Sequence, residues 1–115
     1  MPLFQGEVVR GYQKARISGY PTANVKLEQT TETLVDGVYA ALVHYKQAVL
    51  PAALIVGVEP EKIELYLLDW SGDLYGQEVA FQIVQRVNDI EHAIQEPEMI
   101  KKIERDIEKI RQVLK

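Results

Sequence analysis

Two oxygen-bearing side chains at alternate positions are the first candidates for chemistry. Thr22 and Asn24 follow Pro21, with one small residue between them. Side chains of an extended chain alternate between its two faces, so Thr22 and Asn24 are predicted to share one face. Hydroxyl and amide oxygens are suitable ligands for a hard cation. Because Lys14 and Arg16 lie on the loop just upstream, we predict a cation held by Thr22 and Asn24, with phosphates beneath the basic loop.

A carboxylate in the middle of an apolar run is the second candidate. Residues 63–68 read Ile-Glu-Leu-Tyr-Leu-Leu, and in a strand Glu64, Tyr66 and Leu68 would share one face. A partly buried Glu64 could act as a general base, because a positioned carboxylate takes a proton from a reacting hydroxyl group. The alternative is an edge strand with Glu64 in water, since glutamate is seldom buried unless it is paired.

Composition excludes several classes of function. The chain has 115 residues, a formal net charge of −4 and no cysteine. We therefore expect a single domain over residues 1–115, no nucleic-acid partner, and neither disulfides nor thiolate metal sites. No apolar stretch reaches the roughly 20 residues of a membrane span, so we expect no membrane association and a cytoplasmic location. His44 and His92 lack partners at metal-ligand spacing and are interpreted as structural or surface histidines.

Short strands separated by turn signals make up most of the chain. Strand-like stretches are predicted over residues 7–9, 25–27, 37–45, 49–58, 63–70 and 79–84. Lys46 and Gln47 are predicted to form the turn of a hairpin between two of them. The spacing of turn signals, about 10–12 residues, is typical of a β-barrel or a β-sandwich.

The periodicity changes after Pro97. Apolar residues then recur at alternating intervals of three and four, at Ile100, Ile103, Ile107, Ile110 and Leu114. This stripe predicts an amphipathic helix over residues 97–114, with Pro97 in its first turn and Glu, Lys and Arg on the other face. The helix is predicted to pack on one side of the barrel.

Four stretches of the chain, in this order, resemble the riboflavin kinase family. They are residues 6–24 with Gly19-Tyr20-Pro21-Thr22-Ala23-Asn24, then Gly37-Val38-Tyr39-Ala40, then residues 63–76 with Leu68-Asp69-Trp70 and Asp73-Leu74-Tyr75-Gly76, and finally Ile103, Asp106 and Ile107. The resemblance implies a six-stranded Greek-key β-barrel over about residues 4–90 with a C-terminal α-helix.

The same resemblance implies an activity and the residues that perform it. The expected reaction transfers the ATP γ-phosphate to the 5′-hydroxyl of riboflavin, giving FMN, with Mg²⁺ bound by Thr22 and Asn24. Glu64 matches the base that takes the proton from the attacking hydroxyl. The resemblance assigns nucleotide binding to Gly11, Lys14, Arg16, Gly19, Pro21, Thr22, Asn24, Leu67, Asp69 and Tyr75.

The flavin side departs from the family pattern. The family has Leu-Arg and a later Phe where this chain has Val87-Asn88 and Ala93, with Arg86 close by. Arg86 and Asn88 are the residues predicted to bind flavin. An alternative is a non-catalytic flavin- or nucleotide-binding barrel or interaction module. The expected partners are riboflavin or FMN, ATP or ADP, and an adenylyltransferase domain or separate enzyme; the chain is expected to be a monomer.

Overall fold

Six β-strands and one α-helix form the described part of the chain. The computed structural model describes residues 3–9, 22–27, 34–57, 63–70, 72–91 and 95–115. In chain order the elements are β1 (Leu3–Val9), β2 (Ala23–Leu27), β3 (Gly37–Tyr45), β4 (Ala48–Val56), β5 (Ile63–Leu67), β6 (Glu78–Asn88) and α1 (Glu96–Val113). Across these ranges, no helix has both the length and the apolar content that a membrane span requires.

The strands close into an antiparallel barrel in the order β1-β2-β5-β4-β3-β6. Strands β3, β4 and β5 pair with their neighbours in sequence, and β6 returns to lie beside β3. This arrangement is a Greek key, so the predicted six-stranded Greek-key barrel with a C-terminal helix is confirmed. The β3–β4 hairpin turns at the predicted residues, where Lys46 adopts a φ of 55°.

The barrel interior contains the alternate apolar side chains of every strand. Ile63, Leu65 and Leu67 of β5 point inward, together with Leu54 of β4 and Phe81 of β6. The rings of Phe4 and Phe81 stack with their centroids 5.5 Å apart. Because side chains alternate along β5, its two remaining residues point to the outer wall.

Helix α1 covers part of that outer wall. Val38, Ala40, Ala53 and Leu68 pack with Ile110 of the helix, and the small alanine side chains let the helix approach the sheet closely. Pro97 lies in the first turn, as predicted. The predicted helix and its packing on the barrel are therefore observed.

The face that α1 buries differs from the predicted apolar stripe. Its buried residues are Lys102, Asp106 and Ile110, so the prediction that Glu, Lys and Arg all lie on the other face is wrong for Lys102. Asp106 has a polar partner on the barrel: Asn88 donates a hydrogen bond to it over 2.7 Å. A buried carboxylate is tolerated when it is paired and hydrogen-bonded.

Strands β5 and β6 do not end where they were predicted to end. Strand β5 ends at Leu67 rather than continuing to Trp70, because Asp69 adopts a φ of 57° and turns the chain. Strand β6 continues to Asn88, beyond the predicted end at residue 84. Its pairing with β3 contains two register shifts, and such bulges interrupt the period-two pattern on which the prediction depended.

Candidate functional site

Strand pairing brings the three strongest candidate residues together. Asn24 of β2 lies directly opposite Glu64 of β5 in the antiparallel register. The Thr22 hydroxyl donates a hydrogen bond to Oε1 of Glu64 over 2.9 Å. Directly opposed residues of an antiparallel pair point to the same face, so a hydroxyl group, an amide and a carboxylate share one small region of the outer wall.

Glu64 is buried although it points out of the barrel. Its exposed fraction is 3%, and β5 lies between β2 and β4 rather than at an edge. The alternative reading, an edge strand with Glu64 in water, is therefore wrong. A glutamate in this setting needs hydrogen-bonding partners, and Thr22 supplies one to a single carboxylate oxygen. The side chain is consequently oriented before any substrate arrives.

The donor set suits a hard divalent cation that is shared with a phosphate group. Thr22 uses its hydroxyl hydrogen on Glu64, which leaves the oxygen lone pairs available, and Asn24, opposite Glu64, carries an amide oxygen. Mg²⁺ takes such oxygens, keeps several waters and completes its shell with substrate phosphates. Among the described residues, no three His, Cys, Asp or Glu side chains cluster at metal-binding distance. Thr22 and Asn24 are therefore the oxygen donors that could hold such a cation, and this assignment stays a prediction.

The predicted nucleotide-binding residues lie in several environments. Gly11, Lys14, Arg16, Gly19 and Pro21 fall outside the described residues, so the basic loop stays a prediction.

Two other predicted nucleotide-binding residues have very different exposures. Leu67 packs in the barrel core, so a nucleotide contact at this position would have to use its main chain. Tyr75 is 49% exposed, and its backbone N–H bonds to the Asp73 carboxylate over 2.9 Å.

Asp69, also predicted on the nucleotide side, is engaged by the helix. The two terminal nitrogens of Arg111 donate to the two oxygens of Asp69 at 2.7 and 2.9 Å. This bidentate hydrogen bonding lowers the pKa of the Asp69 carboxyl below its usual value. The pair therefore links the turn after β5 to the last turn of α1.

Replacing Asp69 should produce a pH-dependent change in stability. Because the pKa of Asp69 is lower in the folded state, its contribution is present above the unfolded value of 3.8 and is lost as the pH falls through the folded value. We expect Asp69→Asn to lower Tm at neutral pH, and the difference from the wild type to close below pH 3.8. Thermal unfolding across this range measures it, with exposed Glu108→Gln as the control. A difference that persists unchanged in acid would contradict the pairing.

The two predicted flavin-side residues both have protein partners. Arg86 donates to the carbonyl oxygen of Asp36 at 3.2 Å from Nε and 2.8 Å from Nη2, and to Asp89 Oδ1 at 2.7 Å. Asn88 donates to Asp106 and accepts a hydrogen bond from the backbone N–H of Asp89 over 2.8 Å. Whether either side chain also contacts a ligand stays a prediction.

A single row of opposed residues connects Asn88 to Glu64. Asn24 lies opposite Glu64, Glu64 opposite Ile55, Ile55 opposite Val38, and Val38 opposite Asn88. At about 4.8 Å per strand, Asn88 lies three strand spacings, or roughly 14 Å along the wall, from Glu64. The barrel is closed, so Asn88 lies on the far side of it from Glu64. Arg86 lies opposite Tyr39, whose side chain belongs to the barrel core.

Sequence reasoning missed the burial of Lys102 on α1. Its ammonium group lies 2.6 Å from Oδ2 of Asp106, and the two side chains are 5% and 7% exposed. The only signal was their i, i+4 spacing. Exposed helical pairs share that spacing, so it did not indicate burial.

Comparison with known proteins identifies related chains. The family described as Flavokinase, riboflavin kinase, matches residues 2–114. A bifunctional riboflavin kinase/FMN adenylyltransferase from Mycoplasma pneumoniae is 36% identical over 83 residues, 70% of this chain and 31% of the relative. The chain spans about a third to a half of the length of the curated relatives that it matches.

Two solved structures share the fold. A protein from Streptococcus pneumoniae described as a macrolide-efflux protein superimposes with a TM-score of 0.80 at 27% identity, over 95% of this chain and 36% of that one. Riboflavin kinase from Trypanosoma brucei gives a TM-score of 0.73 at 22% identity, over 97% of this chain and 78% of that one. The second likeness, at this identity, concerns the fold alone.

Proposed function

The chain belongs to the riboflavin kinase family, and we propose that it transfers the γ-phosphoryl group of ATP to the 5′-hydroxyl of riboflavin, giving FMN and ADP. The observation that carries this proposal is the hydrogen bond from Thr22 to the buried carboxylate of Glu64, with Asn24 directly opposite. The arrangement places a base beside two candidate cation-binding oxygens, the combination that phosphoryl transfer to an alcohol requires.

Glu64 acts on the acceptor in this proposal. The riboflavin hydroxyl oxygen forms a bond to the γ-phosphorus while the bond to the β,γ-bridging oxygen breaks, and the hydroxyl proton passes to the Glu64 carboxylate. Thr22 holds one oxygen of that carboxylate, which limits the orientations that Glu64 can adopt. Burial excludes water from the base and strengthens its electrostatic interactions.

Thr22 and Asn24 would hold the divalent cation. When bound, Mg²⁺ neutralises charge on the triphosphate and aligns its oxygens. The protein adds two neutral oxygens, so the cation keeps its positive charge for the phosphates. A site of this kind binds metal weakly alone and more tightly together with ATP.

The remaining nucleotide contacts are assigned by resemblance. Gly11, Lys14, Arg16, Gly19 and Pro21 would form the loop over the phosphates.

The product would serve a second enzyme. Relatives of greater length are named as bifunctional with an FMN adenylyltransferase. We propose that FMN made by this domain, over residues 1–115, is passed to such an activity in the cytoplasm, supplied by the same polypeptide or by a separate enzyme. The kinase itself would act as a monomer.

Product analysis tests the proposal directly. The protein is incubated with riboflavin and MgATP, and flavins are separated by chromatography. We expect a product that co-migrates with FMN, with equimolar ADP, and none when the divalent ion is chelated. Quenching of riboflavin fluorescence on binding, without formation of FMN, would instead indicate a non-catalytic flavin-binding barrel.

The hydroxyl group of Thr22 should affect kcat more than the shape of its side chain does. Thr22→Val keeps the volume but removes the bond to Glu64 and a metal oxygen, whereas Thr22→Ser keeps both. Because a hydrogen bond to a charged group contributes about 1.5–3 kcal/mol, we expect Thr22→Val to lower kcat roughly 10- to 100-fold. Thr22→Ser should stay within a few-fold of the wild type. Steady-state FMN formation measures both, and equal loss in the two variants would contradict a role for the hydroxyl.

A further inference from the structure

The strand that carries Glu64 ends in contacts with the helix. Strand β5 is five residues long and ends at Leu67. The next residue, Leu68, is 1% exposed and packs with Ile110 of α1, and its backbone N–H donates to the carbonyl oxygen of Pro51 over 2.9 Å. Glu64 lies only four positions before Leu68, so the contacts that hold this end of the strand also restrain the proposed base.

Asp69 turns the chain directly after these contacts. Its φ of 57° lies in the left-handed region, which aspartate adopts more readily than most residues but which is still disfavoured. Both of its carboxylate oxygens accept hydrogen bonds from the terminal nitrogens of Arg111, at 2.7 and 2.9 Å. Two parallel bonds from a planar guanidinium fix the orientation of a carboxylate as well as its distance. Arg111 therefore holds the turn in a conformation that the backbone alone disfavours.

Tyr66 lies between the Arg111–Asp69 pair and the candidate site. It points to the same outer face as Glu64, two positions or roughly 7 Å along the strand. Its ring packs against the cluster that contains Ile110. The hydrogen bonds to Asp69 raise the pKa of Arg111, and the Tyr66 hydroxyl adds to this increase. Tyr66 is therefore a neighbour of both the helix end and the base.

The other side of Tyr66 borders the residue that orients the base. Ala23 pairs with Leu65, so Thr22, one residue earlier, lies beside Tyr66, one residue later. Thr22 is the residue whose hydroxyl donates to Glu64. A series of neighbouring side chains therefore runs from the last turn of α1 to the Glu64 carboxylate.

We propose that Arg111 is a positioning residue for phosphoryl transfer, which fixes the end of β5 through Asp69 and thereby the orientation of Glu64. This role rests on the proposed function. It also gives Asp69 a task other than binding nucleotide, because both of its carboxylate oxygens already bond to Arg111. A base must be held close to its productive position, and a displacement of about 1 Å can lower the rate about 100-fold.

A double-mutant cycle on Arg111 and Asp69 tests this role. The two side chains are 49% and 67% exposed, so loss of the pair should leave the protein folded. We expect Arg111→Met to lower kcat for FMN formation about 10-fold, with the KM values for riboflavin and MgATP unchanged. Asp69→Asn keeps a residue that tolerates the left-handed backbone and one acceptor oxygen, and should lower kcat about 3- to 10-fold. The double variant should be no slower than Arg111→Met, since both substitutions remove the same interaction.

Two variants on the same helix separate positioning from loss of charge. Arg105→Met removes the same charge from another exposed position of α1 and should keep the wild-type kcat. Arg111→Lys keeps the charge without the paired geometry, and its kcat should lie between those of the wild type and Arg111→Met.

Three results would overturn the role of Arg111. They are a wild-type kcat in Arg111→Met, an equal loss in Arg105→Met, and additive losses from the Arg111 and Asp69 substitutions. If Asp69 instead binds nucleotide directly, Asp69→Asn will raise the KM for MgATP while Arg111→Met leaves kcat unchanged.

Hydrogen exchange gives a readout that does not depend on turnover. In Arg111→Met, peptides that cover residues 63–69 should exchange faster than in the wild type, while those from β1 should not. Unchanged exchange over residues 63–69 would show that Arg111 does not hold the end of β5. Failure of the proposed function is distinct, because it appears as a wild-type protein that forms no FMN before any variant is made.

Discussion

Glu64→Gln is expected to lower kcat for FMN formation by about 10²- to 10⁴-fold, the usual range for loss of a general base. The carboxamide has nearly the same shape as the carboxylate, and its oxygen can still accept the hydrogen bond from Thr22. The substitution should therefore keep the local geometry and remove only the ability to take the proton. Steady-state assays at saturating riboflavin and MgATP measure the loss.

The control for Glu64→Gln is Glu108→Gln, which removes the same charge from the exposed side of α1. We expect the control to retain wild-type kcat and both variants to keep the wild-type Tm within a few degrees. A Glu64→Gln protein with unchanged turnover would remove Glu64 from the mechanism. A variant that unfolds would show that the buried carboxylate is mainly structural.

Lys102→Met is expected to lower the free energy of unfolding by about 3–5 kcal/mol, because it leaves the buried carboxylate of Asp106 without its cation. Domains of this size have total stabilities of about 5–15 kcal/mol, so this loss is a large fraction. Urea unfolding followed by the fluorescence of Trp70 measures it. Trp70 is the single tryptophan and packs partly buried against the core, 6.1 Å from the Tyr45 ring.

Two further variants make the Lys102 prediction specific. Lys101→Met changes the exposed neighbouring residue of α1 in the same way and should stay within about 0.5 kcal/mol of the wild type. Lys102→Met/Asp106→Leu removes both charges and should recover most of the loss, except for about 1–3 kcal/mol from the Asn88 amide that loses its acceptor. Equal stability of Lys102→Met and Lys101→Met would contradict a structural role for the buried pair.

These two predictions concern different parts of the barrel's outer surface. Glu64 and Asn88 belong to the same row of opposed residues, with the proposed base at one position and the helix-bound end of β6 at another. Loss of Glu64 should affect kcat alone.

Local features of this protein were determined by the sequence itself. Spacing over a few residues predicts the shared face of Thr22 and Asn24 and the inward and outward faces of β5. It also predicts the turn at Lys46 and the position of α1 in the chain. Such features depend on backbone geometry and on neighbours along the chain. The family resemblance added the order of motifs, and from it the closed Greek-key topology.

Only the tertiary structure decided which distant residues meet. Thr22 and Glu64 are 42 positions apart, and the register of β2 on β5 brings them into hydrogen-bonding distance. Burial of Lys102 and Asp106 likewise required Asn88 on β6, since an i, i+4 charge pair is normally exposed. Hydrophobic periodicity and secondary-structure propensity describe one segment at a time, whereas the environment of a buried charge is set by a partner elsewhere in the chain.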